Sequence, residues 1–173
     1  TNLYASSVQL VQVPEGKELA LVDQLSDDPR VEYAEPDYIY WALGAPNDPD
    51  YSSKQWAHTE RMNSAAAWDL STGSNTVTIA VIDTGIDETH PDLAAKIVAG
   101  YDFVDDDSNP HDLNGHGTHV AGIAAAITNN GVGVAGMSWG ARIMPVRVLG
   151  ADGSGSSSDI ISAINWASTH GAK

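Results

Sequence analysis

Cysteine is absent from the chain, which removes disulfides, thiolate nucleophiles and cysteine-ligated metals from consideration while leaving the compartment open. Positive charge is scarce. Eight Lys and Arg face 23 Asp and Glu, a formal net charge of −15. Nucleic acid and anionic membranes both need a basic face, so neither is expected as a partner. No apolar run approaches the roughly 20 residues of a membrane-spanning helix. There is no internal repeat or low-complexity tract. The chain has no initiator Met or leader at Thr1 and stops at Lys173 just after a helical pattern. Both ends read as cut from something longer, so a missing leader carries no weight on secretion.

What is present is globular. Apolar residues make up 42% of the 173, enough for one good core or a small domain plus part of a larger one. The acidic surplus has three ordinary causes: solubility, salt adaptation, or carboxylates gathered for cations.

Two regions are expected, 1–43 and 44–173. In the first, residues 7–13 alternate polar and apolar as a half-buried strand does. Pro14-Glu15-Gly16 opens a helix to about Ser26, with Leu19, Val22 and Leu25 on one face. Asp27-Asp28-Pro29 stops it, and residues 30–35 read as a second strand. Tyr38 to Leu43 is apolar and aromatic without helical period, a tail that needs a groove. Gly44 to Pro49 is rich in breakers and marks the boundary. Beyond it the pattern predicts a helix over 62–70 and a fully buried strand over 77–82. A helix from His116 to about Ile127 follows, then a strand over 143–149 despite Pro145. Ser156 to Asp159 cap a last helix carrying Ile160, Ile161, Ile164 and Trp166. Alternating strands and helices imply an α/β fold with a mostly parallel sheet.

Two segments carry chemistry. Val81-Ile82-Asp83-Thr84-Gly85 ends an apolar strand in a carboxylate, at the edge where open parallel sheets place function. Asn114-Gly115-His116-Gly117-Thr118-His119 puts an imidazole at a helix start, between glycines that leave the ring accessible. The helix dipole there disfavours imidazolium, and a buried carboxylate would counter it and fix the tautomer. Alone, Asp83 equally reads as a strand terminator and His116 as structural. Together, in the order Asp then His, they read as the orienting half of a Ser-His-Asp triad. His119, one turn on, reads as structural.

These segments resemble the Asp and His signatures of the subtilisin-like serine proteases, and residues 47–173 resemble the thermitase branch of that family. Trp68-Asp69, His90-Pro91-Asp92-Leu93, Asp102-Phe103-Val104, Gly122 to Ala126, Val146 to Leu149 and Gly171-Ala172-Lys173 carry the match. The resemblance implies a subtilisin-like fold, Asp83 as triad Asp and His116 as base. It implies a secreted, monomeric endopeptidase acting on extended peptide segments, made as a self-inhibited precursor. The family's nucleophile sits in a Gly-Thr-Ser-Met-Ala setting, which no Ser here has. This chain is therefore expected to lack the nucleophile and to be inactive alone. Gly153-Ser154-Gly155, after the strand ending at Leu149, reads as a flexible loop by itself. The resemblance makes it an edge that pairs with substrate. Residues 1–43 resemble the C-terminal part of an inhibitory prosegment, ferredoxin-like in the family. Its tail would lie in the active-site groove, with cleavage after Leu43, Leu43 in the primary pocket and Tyr40 in the fourth.

Asp102, Asp105 and Asp107, with Asn109, crowd one loop. They read either as a solvated acidic loop or as hard oxygen ligands for calcium, and the resemblance favours calcium. It also implies a second calcium site, with Asp48, Asp92 and Asn130 as side-chain ligands and carbonyls of Ile127, Val132 and Val134. Asp83-Thr84-Gly85 also matches aspartic proteases, but the second such carboxylate is missing. Gly131 to Gly136 spells G-x-G-x-x-G but follows a helix, the reverse of a dinucleotide site. No Glu lies between His116 and His119 as in zinc proteases. The remaining competitor is a catalytically inactive, calcium-binding relative.

Overall fold

A computed structural model describes residues 9–37 and 45–173. The chain divides into two compact units, Thr1–Trp41 and Ala42–Lys173.

The described part of the first unit holds one helix, α1 (Glu18–Ser26), with no buried residue. Leu21, Val22 and Leu25 are half-buried, whereas Leu19 is 68% exposed and does not join them. Strands were expected on both sides. Of residues 9–13 only Gln9 makes a bridge, and residues 30–37 form no strand. The reason for the second is local. Asp28 Oδ1 accepts from Arg30 N, and Val31 N donates to Asp28 O, so the chain is still turning where a strand should begin. Tyr38 to Gly44, including the expected cleavage point, lie outside the described residues.

The second unit begins with three short helices, α2 (Tyr51–Lys54), α3 (Trp56–Glu60) and α4 (Ser64–Leu70). The last was expected from Met62. It starts two residues later because Asn63 is left-handed, with φ of 50°, and breaks the helical path. Then come β1 (Thr78–Asp83), a 3₁₀ turn (Ala94–Lys96), β2 (Tyr101–Asp102), α5 (His116–Ala125), β3 (Arg142–Arg147) and α6 (Ser157–Thr169). The strands form a parallel sheet in the order β1-β3-β2. Asp83 and Asp102 both pair with Arg147, so the outer strands end level with β3.

Period-two alternation splits the side chains between two layers. Ile79, Val81 and Ile143 meet Ala121 and Ala125 of α5, whereas Ala80, Ile82, Met144 and Val146 meet Ala163 and Ala167 of α6. Helices on both faces explain why these strands are uninterrupted apolar runs. Pro145 in the central strand breaks the usual edge preference. Ile143 O and Arg147 O accept from Val98 N and Phe103 N on the β2 side, so by strand parity the missing Pro145 N–H falls there too. Gly100 faces it, and a Cβ at Gly100 would run into the Pro145 carbonyl.

Helix α6 begins as expected, with the Ser156 side chain accepting from Asp159 N. Its buried stripe is built on small residues. Ala163 and Ala167 are buried, with Ile160 and Trp166 beside them, while Ile161 and Ile164 are 61% and 53% exposed. The helical repeat allows one such stripe, and the small residues let α6 lie close to the sheet.

Candidate active site

Asp83 is the last residue of β1, and its side chain is 12% exposed. Its backbone carbonyl accepts from both Val148 N (2.9 Å) and Leu149 N (3.1 Å). Its Oδ1 accepts from Thr84 N at 2.7 Å and lies 2.7 Å from His116 Nδ1. His116 opens α5, and its side chain is 61% exposed. One imidazole nitrogen is thus held by a carboxylate while the ring remains open to solvent.

The close approach of α5 to the end of β1 depends on Gly117. A Cβ there would collide with the Gly85 carbonyl and come within 3.2 Å of Asp83 Cβ. Two effects compete for the imidazole's proton affinity. The hydrogen bond to Asp83 and then that group's charge raise it, burial lowers it, and Asp112 adds a further upward pull. The result is a His116 pKa above the ordinary histidine value, because the hydrogen bond to the Asp83 carboxylate favours the charged ring.

Asp112 is the site residue that sequence reasoning missed. Burial opposes its charged form, but hydrogen bonds from the Thr118 side chain and the backbone N–H groups of Gly115, Thr118 and Asn114 outweigh it and bring its pKa down to about 2. An Asp four residues ahead of a helix-opening His was the available signal. His119 is exposed and lines a groove with Trp56, Met62 and Ile123.

The sequence profile described as "Subtilase family" matches residues 74–173, more than half of the chain. The chain belongs to the subtilase family. A thermophilic serine proteinase of Bacillus sp. (strain AK1) is 53% identical over 154 residues, covering 89% of this chain and 38% of that protein. Thermitase of Thermoactinomyces vulgaris is 50% identical over 128 residues, 74% of this chain and 45% of its own. A solved structure titled as proteases from Pseudoalteromonas arctica PAMC 21717 aligns with a TM-score of 0.65 and 42% identity, over 72% of this chain and 44% of that one. This subtilase chain therefore spans less than half the length of each of these relatives. The aligned fold agrees with the observed parallel sheet flanked by helices.

The expected ligands Asp48, Asp92 and Asn130 come together. Asp48 and Asp92 are 3% and 1% exposed. Asp48 accepts from Asn129 N and Asn130 N, at 2.9 and 3.2 Å. Asp92 accepts from Asn130 Nδ2 at 2.7 Å and Val134 N at 3.0 Å, and its carbonyl accepts from Ile127 N. Val132 N bonds back to Asn130 Oδ1, closing the loop. Among the described residues neither carboxylate forms an ion pair. The nearby Lys96 ammonium points instead at the carbonyls of Ser138 and Trp139, at 3.0 and 2.9 Å. Burial takes its pKa down to about 8 against the pull of Asp92.

The second acidic loop of this subtilase is arranged differently. Arg147 Nη1 donates to Asp102 Oδ2 at 2.7 Å and to Asp105 Oδ2 at 2.6 Å. Asp102 Oδ1 accepts from Val104 N and Asp105 N, and Asp107 Oδ1 accepts from Asn109 N. A guanidinium already pairs with two of these carboxylates. Asp87, Glu88 and His111 gather a third set of donor atoms, with His111 Nδ1 2.8 Å from Glu88 Oε2.

The expected substrate edge is a turn. Strand β3 ends at Arg147, Gly150 N donates to Ser154 O, and Gly153 N to Gly150 O. Gly153, Ser154 and Gly155 are exposed, and Leu149 is half-buried. Asn114 Nδ2 donates to Ala151 O at 2.8 Å, tying this turn to the loop that presents His116.

Proposed function

We propose that the full-length protein is a serine endopeptidase of the subtilisin type, hydrolysing peptide bonds in proteins through an Asp-His-Ser triad. The 2.7 Å contact between His116 Nδ1 and Asp83, with the imidazole otherwise exposed, carries this reading. Asp83 holds the tautomer in which Nδ1 bears the proton, so Nε2 is the free base. A serine hydroxyl from sequence beyond Lys173 gives its proton to His116 Nε2 as its oxygen bonds the scissile carbonyl carbon. The imidazolium then returns that proton to the leaving amine as the C–N bond breaks. Water repeats the cycle, releasing the acid and restoring the serine.

Extended substrate would lie along Leu149 and the turn Gly153, Ser154 and Gly155. Residues 1–43 would serve as an intramolecular inhibitor, cleaved after Leu43, in a secreted, monomeric enzyme. The family resemblance supports these assignments. A fluorophosphonate probe should label the folded full-length protein, with labelling collapsing in Asp83→Asn. A folded protein that neither labels nor hydrolyses casein is instead an inactive relative. N-terminal sequencing of active enzyme should read from Gly44.

Calcium fits the Asp48, Asp92 and Asn130 cluster, because two buried carboxylates, without an ion-pair partner among the described residues, and an amide oxygen are hard donors. Carbonyls of Ile127, Val132 and Val134 would complete the shell, and the bound ion would fasten residues 47–50 to the 127–134 loop. Calcium at Asp102, Asp105, Asp107 and Asn109 would share its ligands with Arg147, so the first cluster is the stronger assignment. Chelator should lower the melting temperature of the parent and leave Asp92→Asn, already lower, unmoved. A parent melting temperature indifferent to chelator would overturn the assignment.

A further inference from the structure

We propose that Asp112 is a positioning residue of the catalytic apparatus, whose carboxylate locks the backbone on both sides of His116 and joins it to the Asp83 peptide. The proposal rests on the protease reading above for its kinetic consequences, and on geometry for its existence.

Every acceptor position of this carboxylate is directed at the His116 loop or at the residue after Asp83. Oδ1 accepts from Thr84 Oγ1 at 2.8 Å, Asn114 N at 2.9 Å and Gly115 N at 2.8 Å. Oδ2 accepts from Thr118 N at 2.9 Å and Thr118 Oγ1 at 2.6 Å. Residues on both sides of His116 are thus tied to one group. Thr84 has a single hydroxyl proton and gives it to Asp112, so its lone pairs face Gly117 N, which donates at 2.9 Å. That fixes the amide immediately after His116. Thr84 N meanwhile donates to Asp83 Oδ1, the oxygen that holds His116 Nδ1. The contacts close a ring from Asp83 through Thr84, Asp112 and the start of α5 back to His116. An ordinary helix cap needs only N–H donors of its own helix. The bond from buried Thr84 is the contact that capping does not explain.

The carboxylate cannot be replaced by its amide without conflict. Three donors converge on one oxygen and two on the other, so either orientation of an Asn places its NH₂ against at least two donors. The negative charge also acts through space on the imidazole. Asp83 and Asp112 are the charged groups that act on it, with Asp83 the larger influence.

The test uses the full-length protein with Asp112→Asn, Thr84→Val and Thr84→Ser, normalised by titration of active sites. Asp112→Asn should lower kcat roughly tenfold to a hundredfold, the scale of a small misplacement of a catalytic group. KM should stay within about twofold, because substrate contacts are untouched. The acid limb of the kcat/KM profile should move to lower pH. Thr84→Val should reproduce the loss in kcat, and Thr84→Ser should retain more of it than Thr84→Val. NMR titration of His116 in the full-length protein supplies a readout independent of activity, with a lower imidazole pKa expected in Asp112→Asn. Parent-like kcat and parent-like acid limb, with only a lower melting temperature, would reduce Asp112 to a helix cap and overturn the proposal. Should the parent neither hydrolyse peptides nor label, the protease reading fails by itself. The same spectra then decide, and a His116 Nδ1–H resonance in Asp112→Asn that is unchanged from the parent, with the hydrogen bond to Asp83 intact, overturns the positioning role.

Discussion

Two histidines in this molecule each meet a hydrogen-bonding partner, and they are opposites. His58 is 3% exposed, with Nδ1 2.9 Å from the buried Ser64 Oγ and the rings of Tyr51 and Trp68 packed around it at centroid distances of 5.7 and 5.2 Å. Gln55 receives from Ala135 N and donates to Ala135 O, which fixes its amide with Nε2 facing His58 Nε2 at 3.2 Å. That face of His58 must accept, so the ring is neutral with its proton on Nδ1, and burial pushes its pKa down. His116 is open, meets a carboxylate rather than a hydroxyl, and has its pKa raised. A Ser beside a His is therefore no sign of catalysis. The sealed pair builds a core, while an exposed imidazole backed by a charge can take a proton from something that arrives.

The sharpest way to break this contrast is Asp83→Asn. It keeps the shape but reverses the tautomer, and should cost about 10⁴-fold in kcat of the full-length enzyme, measured by steady-state proteolysis. The corresponding change at the other histidine should be structural. Ser64→Ala leaves a buried Nδ1–H unpaired and should cost about 1–3 kcal/mol in urea unfolding. His116→Ala, at an exposed position, should stay near 0.5 kcal/mol or less in the same assay.

The pH dependence should separate them by sign. The folded pKa of His58 is depressed, so the unfolded chain binds its proton more tightly. Its contribution is intact above about 6.5 and declines as pH falls below that. The folded pKa of His116 is raised, so the stability it gains from Asp83 is complete below about 6.5 and lost as pH rises through the folded value. Urea midpoints between pH 5 and 8 should show the acid-side loss in the parent and a flatter curve in His58→Gln. A parent-like slope in that variant would refute the assignment. The smallest effect is chemical, with diethyl pyrocarbonate modifying His116 before His58 in the folded protein.

Much of the site was legible because chemistry and order constrain it together. Asp83 at a strand end and His116 at a helix start differ from structural residues in type, spacing and flanking glycines. Asp48, Asp92 and Asn130 came from resemblance alone, and no local pattern announces that residues so far apart meet at one loop. Asp112 escaped because an Asp before a helix has an ordinary explanation, and the Thr84 contact that goes beyond it exists only after folding. The strand expected at residues 30–35 failed on side-chain chemistry that alternation ignores, since Asp28 offers the backbone a turn instead. At α6 the apolar residues alone did not say which face is buried, and Ala163 and Ala167 line it while Ile161 and Ile164 stay exposed. Alanine reveals nothing about burial by its hydrophobicity, yet it is what lets a helix touch a sheet.

The Asp83 carbonyl, held by the amides of both Val148 and Leu149, ties the site to the central strand pair of the sheet. Those two amide hydrogens can exchange with solvent only when the junction of β1 and β3 opens. The carboxylate that orients His116 is then as long-lived as the sheet itself, and warming should disable the pair only as the sheet lets go.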